Sequence, residues 1–258
     1  MGILNLTPDS FYDGGKNQHS EKYLEAVASM LLDGAGIIDI GAQSTRPGAK
    51  QIEAEEEWSR LKVPLQNLIK EFPNALFSID TFHSSVAKKS ADLGISLIND
   101  VSAGSLDPKM FRTVADLKLP YVLMHMKGSP ATMQINPEYR DVLIEIIEFF
   151  SEKIQELQAL GVNDIIIDPG FGFGKTTEDN FVLLKKLAVL QIQGMPILAG
   201  LSRKSMVTKV LGNKTLDALN GSTVLNTIAL LNGADMLRVH DVKEAVETVK
   251  LVEQLKKV

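Results

Sequence analysis

Four times along this chain a helical run ends at a glycine and a short, mostly apolar segment follows. Leu31-Leu32-Asp33-Gly34 leads into Ile37-Ile38-Asp39-Ile40, and Ala91-Asp92-Leu93-Gly94 into Ile95-Ser96-Leu97-Ile98. Ala159-Leu160-Gly161 leads into Ile165-Ile166-Ile167, and Leu231-Asn232-Gly233 into Met236-Leu237-Arg238-Val239. Glycine just past a helix takes the left-handed conformation that satisfies the last helical carbonyls. An apolar run after it reads as a strand covered on both faces. Residues 1–6, 76–79, 121–124 and 196–199 are similar runs, which makes about eight strands with helices between them. In residues 138–160, Tyr139, Val142, Leu143, Ile146, Ile147, Phe150, Ile154 and Leu157 follow helical spacing. Tyr23, Val27 and Met30 repeat that spacing near the start, and Ala245, Val249 and Val252 near the end.

Alternating β and α units also fit an open, doubly wound sheet. There, polar motifs gather near one switch point. Here they follow nearly every strand, as they do in a barrel whose strands all end at one rim. The expected fold is therefore a single-domain α/β chain, a (β/α)8 TIM barrel spanning residues 1–258, with no linker or low-complexity tract. Because Met1 already sits inside the first strand, a short N-terminal segment upstream is also expected.

The polar clusters are Asn5-Leu6-Thr7-Pro8-Asp9-Ser10-Phe11, Ser44-Thr45-Arg46-Pro47-Gly48, residues 168–175, Ser202-Arg203-Lys204-Ser205 and Arg238-Val239-His240-Asp241. The third is neither a Walker loop nor a dinucleotide fingerprint, since Pro169 stands where a Walker loop has its first glycine. Its glycines let backbone approach a flat ligand closely, and its phenylalanines offer stacking faces. Asp80, Asn99 and Asp168 fall at strand ends. Singly, each serves as well for a helix cap. Together they suit a ring with adjacent amino and imino donors, which a carboxylate accepts as it accepts a guanidinium. Asn5, Arg46, Arg238 and His240 supply donors for a polyphosphate, with a metal ligand among them left open. Lys204-Ser205 opens a helix whose free amides suit an anion. The loops 7–16 and 44–50 read as lids or simple connectors.

A net charge of -5 provides no basic field for nucleic acid, so an anionic substrate must be met by local Arg and Lys. With no cysteine there is neither disulfide nor thiolate chemistry. No apolar stretch spans a bilayer and no basic flank marks a signal, so a cytoplasmic location is expected.

At these clusters the chain resembles the dihydropteroate synthases, in family order and over essentially its whole length. Asp13-Gly14-Gly15, Asp80-Thr81, Asn99-Asp100-Val101 and Met124-His125-Met126 extend the match. Gly41-Ala42-Gln43 and Asn220-Gly221-Ser222-Thr223 depart from the usual form. The resemblance implies a transferase of folate biosynthesis. It joins p-aminobenzoate to 6-hydroxymethyl-7,8-dihydropterin diphosphate with Mg²⁺, by an SN1-like route, as a homodimer. It implies that Asp80, Asn99, Asp168 and Lys204 hydrogen-bond the pterin. Val101, Met124, Phe173 and Gly200 would line the pterin slot, and Arg238 would stack on the ring. Asn5, Thr45, Arg46, Arg238 and His240 would hold the diphosphate, with Asn5 on the metal. Phe11, Thr45, Pro47, Lys204 and Ser205 would frame p-aminobenzoate. A corrinoid-dependent methyltransferase domain, a Schiff-base aldolase using Lys204 and a non-catalytic pterin-binding or scaffold protein are the competing readings.

Overall fold

The computed structural model describes residues 1–6, 16–43, 51–129, 133, 137–192, 194–212 and 214–258. Strands and helices alternate along it, beginning with β1 (Gly2–Asn5), α1 (Lys16–Leu32), β2 (Ile38–Gly41), α2 (Ala54–Glu71), β3 (Phe77–Asp80) and α3 (Ser84–Ala91). Next come β4 (Leu97–Asp100), α4 (Met110–Leu117), β5 (Tyr121–Met124), α5 (Val142–Ala159), β6 (Ile165–Asp168) and α6 (Thr177–Lys185). The chain ends with β7 (Leu198–Ala199), α7 (Ser205–Leu211), α8 (Leu219–Leu231), β8 (Met236–Leu237) and α9 (Val242–Leu255).

Strands β1 to β6 pair in sequence order as one parallel sheet, and β7 pairs with β8. Single parallel bridges join the two pieces, Ile167 to Ile197 on one side and Gly2 to Val239 on the other. The Ile167 amide donates to the Pro196 carbonyl at 2.9 Å, and the Ile3 amide to the Val239 carbonyl at 2.9 Å. The sheet thus closes into the expected (β/α)8 barrel. Each junction glycine read from the sequence has positive φ: Gly34 (+99°), Gly94 (+115°), Gly161 (+85°) and Gly233 (+99°).

Side chains alternate faces along a strand, and this period sorts the barrel. Ile38, Ile40, Ile79, Tyr121 and Ile167 point outward into the large core shared with the helices. Leu97, Val122, Ile166 and Leu198 point inward and pack with Met1, Ile37 and Met236 as an apolar floor. Two residues beyond each of six floor positions, on the same face, stand Asp39, Asn99, Met124, Asp168, Gly200 and Arg238. These candidate site residues therefore sit one layer above the floor.

The α5 helix begins at Val142, later than the amphipathic pattern from residue 138 implies. The Asp141 carboxylate accepts from the Leu143 and Ile144 amides at 2.9 and 3.1 Å and caps the helix there. Tyr139 stands before the helix and donates its hydroxyl to the Gly174 carbonyl at 2.7 Å. Among the described residues no helix is long and apolar enough to cross a membrane.

Candidate active site

Arg238, at the end of β8, organises the inner face. Its Nε donates to Asp39 Oδ2 at 2.7 Å and its Nη2 to Asp80 Oδ2 at 2.6 Å. Asn99 Nδ2 donates to the same Asp39 oxygen at 2.9 Å. Arg238 thus holds Asp80 directly and reaches Asn99 through Asp39, a fully buried residue that motif reading missed. Burial pushes the Asp80 carboxyl up to about 7; Arg238 opposes this, and Asp39, Asp100 and Asp168 reinforce it. Asp100 faces away from this network. It accepts from the Ser102 and Gly104 amides at 2.7 and 2.8 Å and from the Tyr121 hydroxyl at 2.7 Å, which fixes the turn carrying Val101.

Asp168 and Lys204 approach from β6 and the turn after β7. Burial raises the Asp168 carboxyl, with Lys204 the chief opposing charge. Burial lowers the Lys204 ammonium to about 8, opposed by Asp168. Lys204 Nζ donates to the Phe171 carbonyl and lies 4.4 Å from the Phe173 ring centre. Phe82, Val101 and Met124 form a separate apolar cluster with Phe173, Leu106 and Met126, which brings together three of the four expected slot residues, Val101, Met124 and Phe173. Gly200 is buried, and a Cβ there would lie 4.0 Å from Asp168 Oδ2.

The loop after β6 depends on its glycines. Gly170 and Gly174 have φ of +66° and +65°. A Cβ would sit 1.9 Å from the His125 carbonyl oxygen at Gly170 and 2.3 Å from the Lys127 carbonyl oxygen at Gly174. Lys175, which the sequence shows only as the tail of a glycine run, is buried inside this loop. Its Nζ meets His125 Nδ1 and the Gly170 carbonyl at 2.9 Å each, and the Phe173 carbonyl at 3.0 Å.

His240 lies exposed at the mouth. Desolvation of its inner edge, and next the Arg238 charge, hold its pKa down to about 4, so the ring is neutral at pH 7. Asn5 is half-buried at the end of β1, in register with Gly41, whose partner on the other side is Asp80. Ser205 is exposed at the start of α7. Phe11, Thr45, Arg46 and Pro47 lie outside the described residues.

Glu57, on α2, is a second residue that sequence reading missed. It is fully buried and accepts from Thr81 Oγ1 at 2.7 Å, beside Asp80 in the chain. Its other oxygen has no hydrogen-bond partner. Burial raises its pKa from 4.5 to about 7, with the Thr81 bond opposing. An acid with a raised folded pKa is stabilising relative to the unfolded chain at low pH. That stability drains away as pH climbs from 4.5 to about 7, by ~3 kcal/mol in all. Glu57→Gln is therefore expected to flatten the fall of melting temperature over that window. An unchanged slope in the variant would assign the fall to another group.

The sequence and the fold have close counterparts. A family profile described as "Pterin binding enzyme" matches residues 1–240. The dihydropteroate synthase of Escherichia coli (strain K12) is 41% identical over 255 residues, which cover 98% of this chain and 90% of that one. The Yersinia pestis dihydropteroate synthase in a sulfonamide drug complex has a TM-score of 0.93 at 41% identity, covering 100% of this chain and 94% of its own. The Xanthomonas albilineans dihydropteroate synthase in complex with 7,8-dihydropteroate has a TM-score of 0.89 at 36% identity, covering 100% and 93%. Fold and site together define a pterin-binding barrel enzyme. Within that class, the chain belongs to the dihydropteroate synthase family.

Proposed function

We propose that this chain is a transferase of folate biosynthesis that joins p-aminobenzoate to 6-hydroxymethyl-7,8-dihydropterin diphosphate, giving 7,8-dihydropteroate and pyrophosphate. The observation that carries this is the convergence of acids and bases above one barrel floor: Asp80 bound directly by Arg238, Asn99 tied to Arg238 through Asp39, and Asp168 beside Lys204. Asp80, Asn99, Asp168 and Lys204 read the polar edge of the pterin. Val101, Met124, Phe173 and Gly200 enclose its faces, with Arg238 against the ring.

The reaction follows an SN1-like course. The bond between the pterin methylene and the diphosphate oxygen breaks first, and both electrons leave with pyrophosphate. Arg238, His240, Thr45 and Arg46 stabilise the growing charge on the leaving group. The carboxylate of Asp168 balances the methylene cation. The aniline nitrogen of p-aminobenzoate then forms the new C–N bond and loses a proton. This nitrogen is already neutral, so no base is needed to activate it. Ser205 and Lys204 hold the p-aminobenzoate carboxylate, with Phe11 and Pro47 beside the ring.

Mg²⁺ fits the donors present. It binds through one or two protein oxygens and otherwise through substrate phosphates and water. Asn5 offers an amide oxygen at the barrel rim. Bound there, the ion would supply further positive charge to the diphosphate.

The test is pyrophosphate release measured with the pterin diphosphate and Mg²⁺, with and without p-aminobenzoate. Release that requires p-aminobenzoate supports the reading. A corrinoid-linked methyltransferase would release none.

We further propose a homodimer. Val224, Ile228 and Leu231 are exposed large apolar residues on α8, and their spacing puts them on one face. Exposed Val210 and Leu211 of α7 belong to a helix that also contacts α8. Ile228→Asp is expected to shift a dimeric mass in light scattering toward the monomer. A mass that stays dimeric would exclude this face.

A further inference from the structure

Ser202, Arg203 and Asp241 belong to the motifs of the mouth, yet the reaction as described leaves them without work. The structure pairs them as two rungs between neighbouring turns. Arg203, at φ +56°, donates through Nε and Nη2 to both Asp241 oxygens at 2.9 and 2.6 Å. Its amide donates to Ser222 Oγ at 2.9 Å, tying the same turn to α8. One residue earlier on each side, Ser202 Oγ lies 3.0 Å from His240 Nδ1 and accepts the His240 amide at 3.2 Å. Ser202 is buried.

Proton counting gives this pair a direction. A serine oxygen has one hydrogen to donate and can accept two. The His240 amide already donates to Ser202 Oγ. The hydroxyl hydrogen then has His240 Nδ1 within reach as its acceptor. If Nδ1 donated instead, Oγ would take two incoming hydrogens and its own would need a further acceptor inside a buried site. The tautomer of a histidine is set by the bond its other nitrogen makes.

We infer that Ser202 is a positioning residue that fixes His240 as the tautomer protonated on Nε2. His240 thereby presents a neutral N–H donor, and not a lone pair, toward the anionic part of the substrate. The inference deepens the proposed function and rests on its assignment of His240 to the diphosphate. The Arg203–Asp241 rung holds the two turns at the spacing that the Ser202–His240 bond requires.

The experiment is long-range proton–nitrogen NMR of the full chain with labelled histidine, run first without ligand and then with pyrophosphate. Nδ1 is expected to resonate as an unprotonated acceptor and Nε2 as a protonated nitrogen; a protonated Nδ1 overturns the inference. In Ser202→Ala the two tautomers are expected to mix. KM for the pterin diphosphate should rise about three- to tenfold, the loss of one hydrogen bond. Affinity for the pterin alcohol lacking the diphosphate, and KM for p-aminobenzoate, should hold. Ser202→Thr keeps the hydroxyl and should restore both the tautomer and KM. A variant in which all three constants move together has lost general structure, and that result also overturns the inference. The expected tautomer with no response of Nε2 to pyrophosphate supports the role of Ser202 and instead removes His240 from the diphosphate site.

Discussion

Asp80→Ala is expected to weaken pterin binding by roughly 30-fold to a few thousand-fold, corresponding to the ~2–5 kcal/mol typical of truncating one partner of a buried, hydrogen-bonded charge pair. The carboxylate stands on the inner face with Arg238 bound to it at 2.6 Å. Its removal takes away the acceptor proposed for the ring's paired donors. It also frees one arm of the guanidinium from its anchor. The fold should survive, because Arg238 keeps Asp39 through Nε and the barrel floor lies a layer below. Titration calorimetry with a pterin, beside a thermal melt, separates the two effects. Unchanged affinity would exclude Asp80 from the site. Asp39→Asn makes a useful companion. It retains the shape while discharging the carboxylate shared by Arg238 and Asn99, and should also lower pterin affinity.

The second large effect is on folding. Gly170→Ala is expected to destabilise the protein by about 3 kcal/mol or more, combining left-handed backbone strain with steric overlap. A melting temperature lower by roughly 6–12 °C follows for a chain of this size. The new Cβ would lie 1.9 Å from the His125 carbonyl oxygen, which is backbone and cannot rotate away. Gly212 provides the control. Its φ of +65° nearly equals the +66° of Gly170, yet a Cβ there meets nothing within 4 Å. Gly212→Ala should therefore cost only the conformational part, about 1–2 kcal/mol. Equal melting temperatures for the two variants would show that the contact at Gly170 relaxes freely.

The barrel was readable because its strands are short apolar runs set off by glycines that must turn left-handed. Closure through Gly2 and Val239 follows from the strand count. The candidate site was legible where motifs stand at or next to strand ends, as at Asp80, Asn99, Asp168 and Arg238. Asp39 was hidden inside Ile37-Ile38-Asp39-Ile40, where it looks like an interruption of an apolar strand. Parity would have exposed it: residues 37 and 39 share the inward face, one on the floor and one in the site. Glu57 was hidden in Glu55-Glu56-Glu57, acids that favour any helix start. Helical phase would have singled it out, since Glu57 aligns with buried Leu61, Leu65 and Leu68. Lys175 left no such trace, because the carbonyls that hold it come together only when the glycine loop folds. Where α5 begins depended on Asp141 outcompeting the amphipathic pattern upstream of it.

Lys175 also bears on how small molecules meet this protein. Its Nζ clips His125 to the carbonyls of Gly170 and Phe173, so one wall of the candidate site is held by the fold itself. A planar fragment bound there would spend little of its binding energy on ordering that wall.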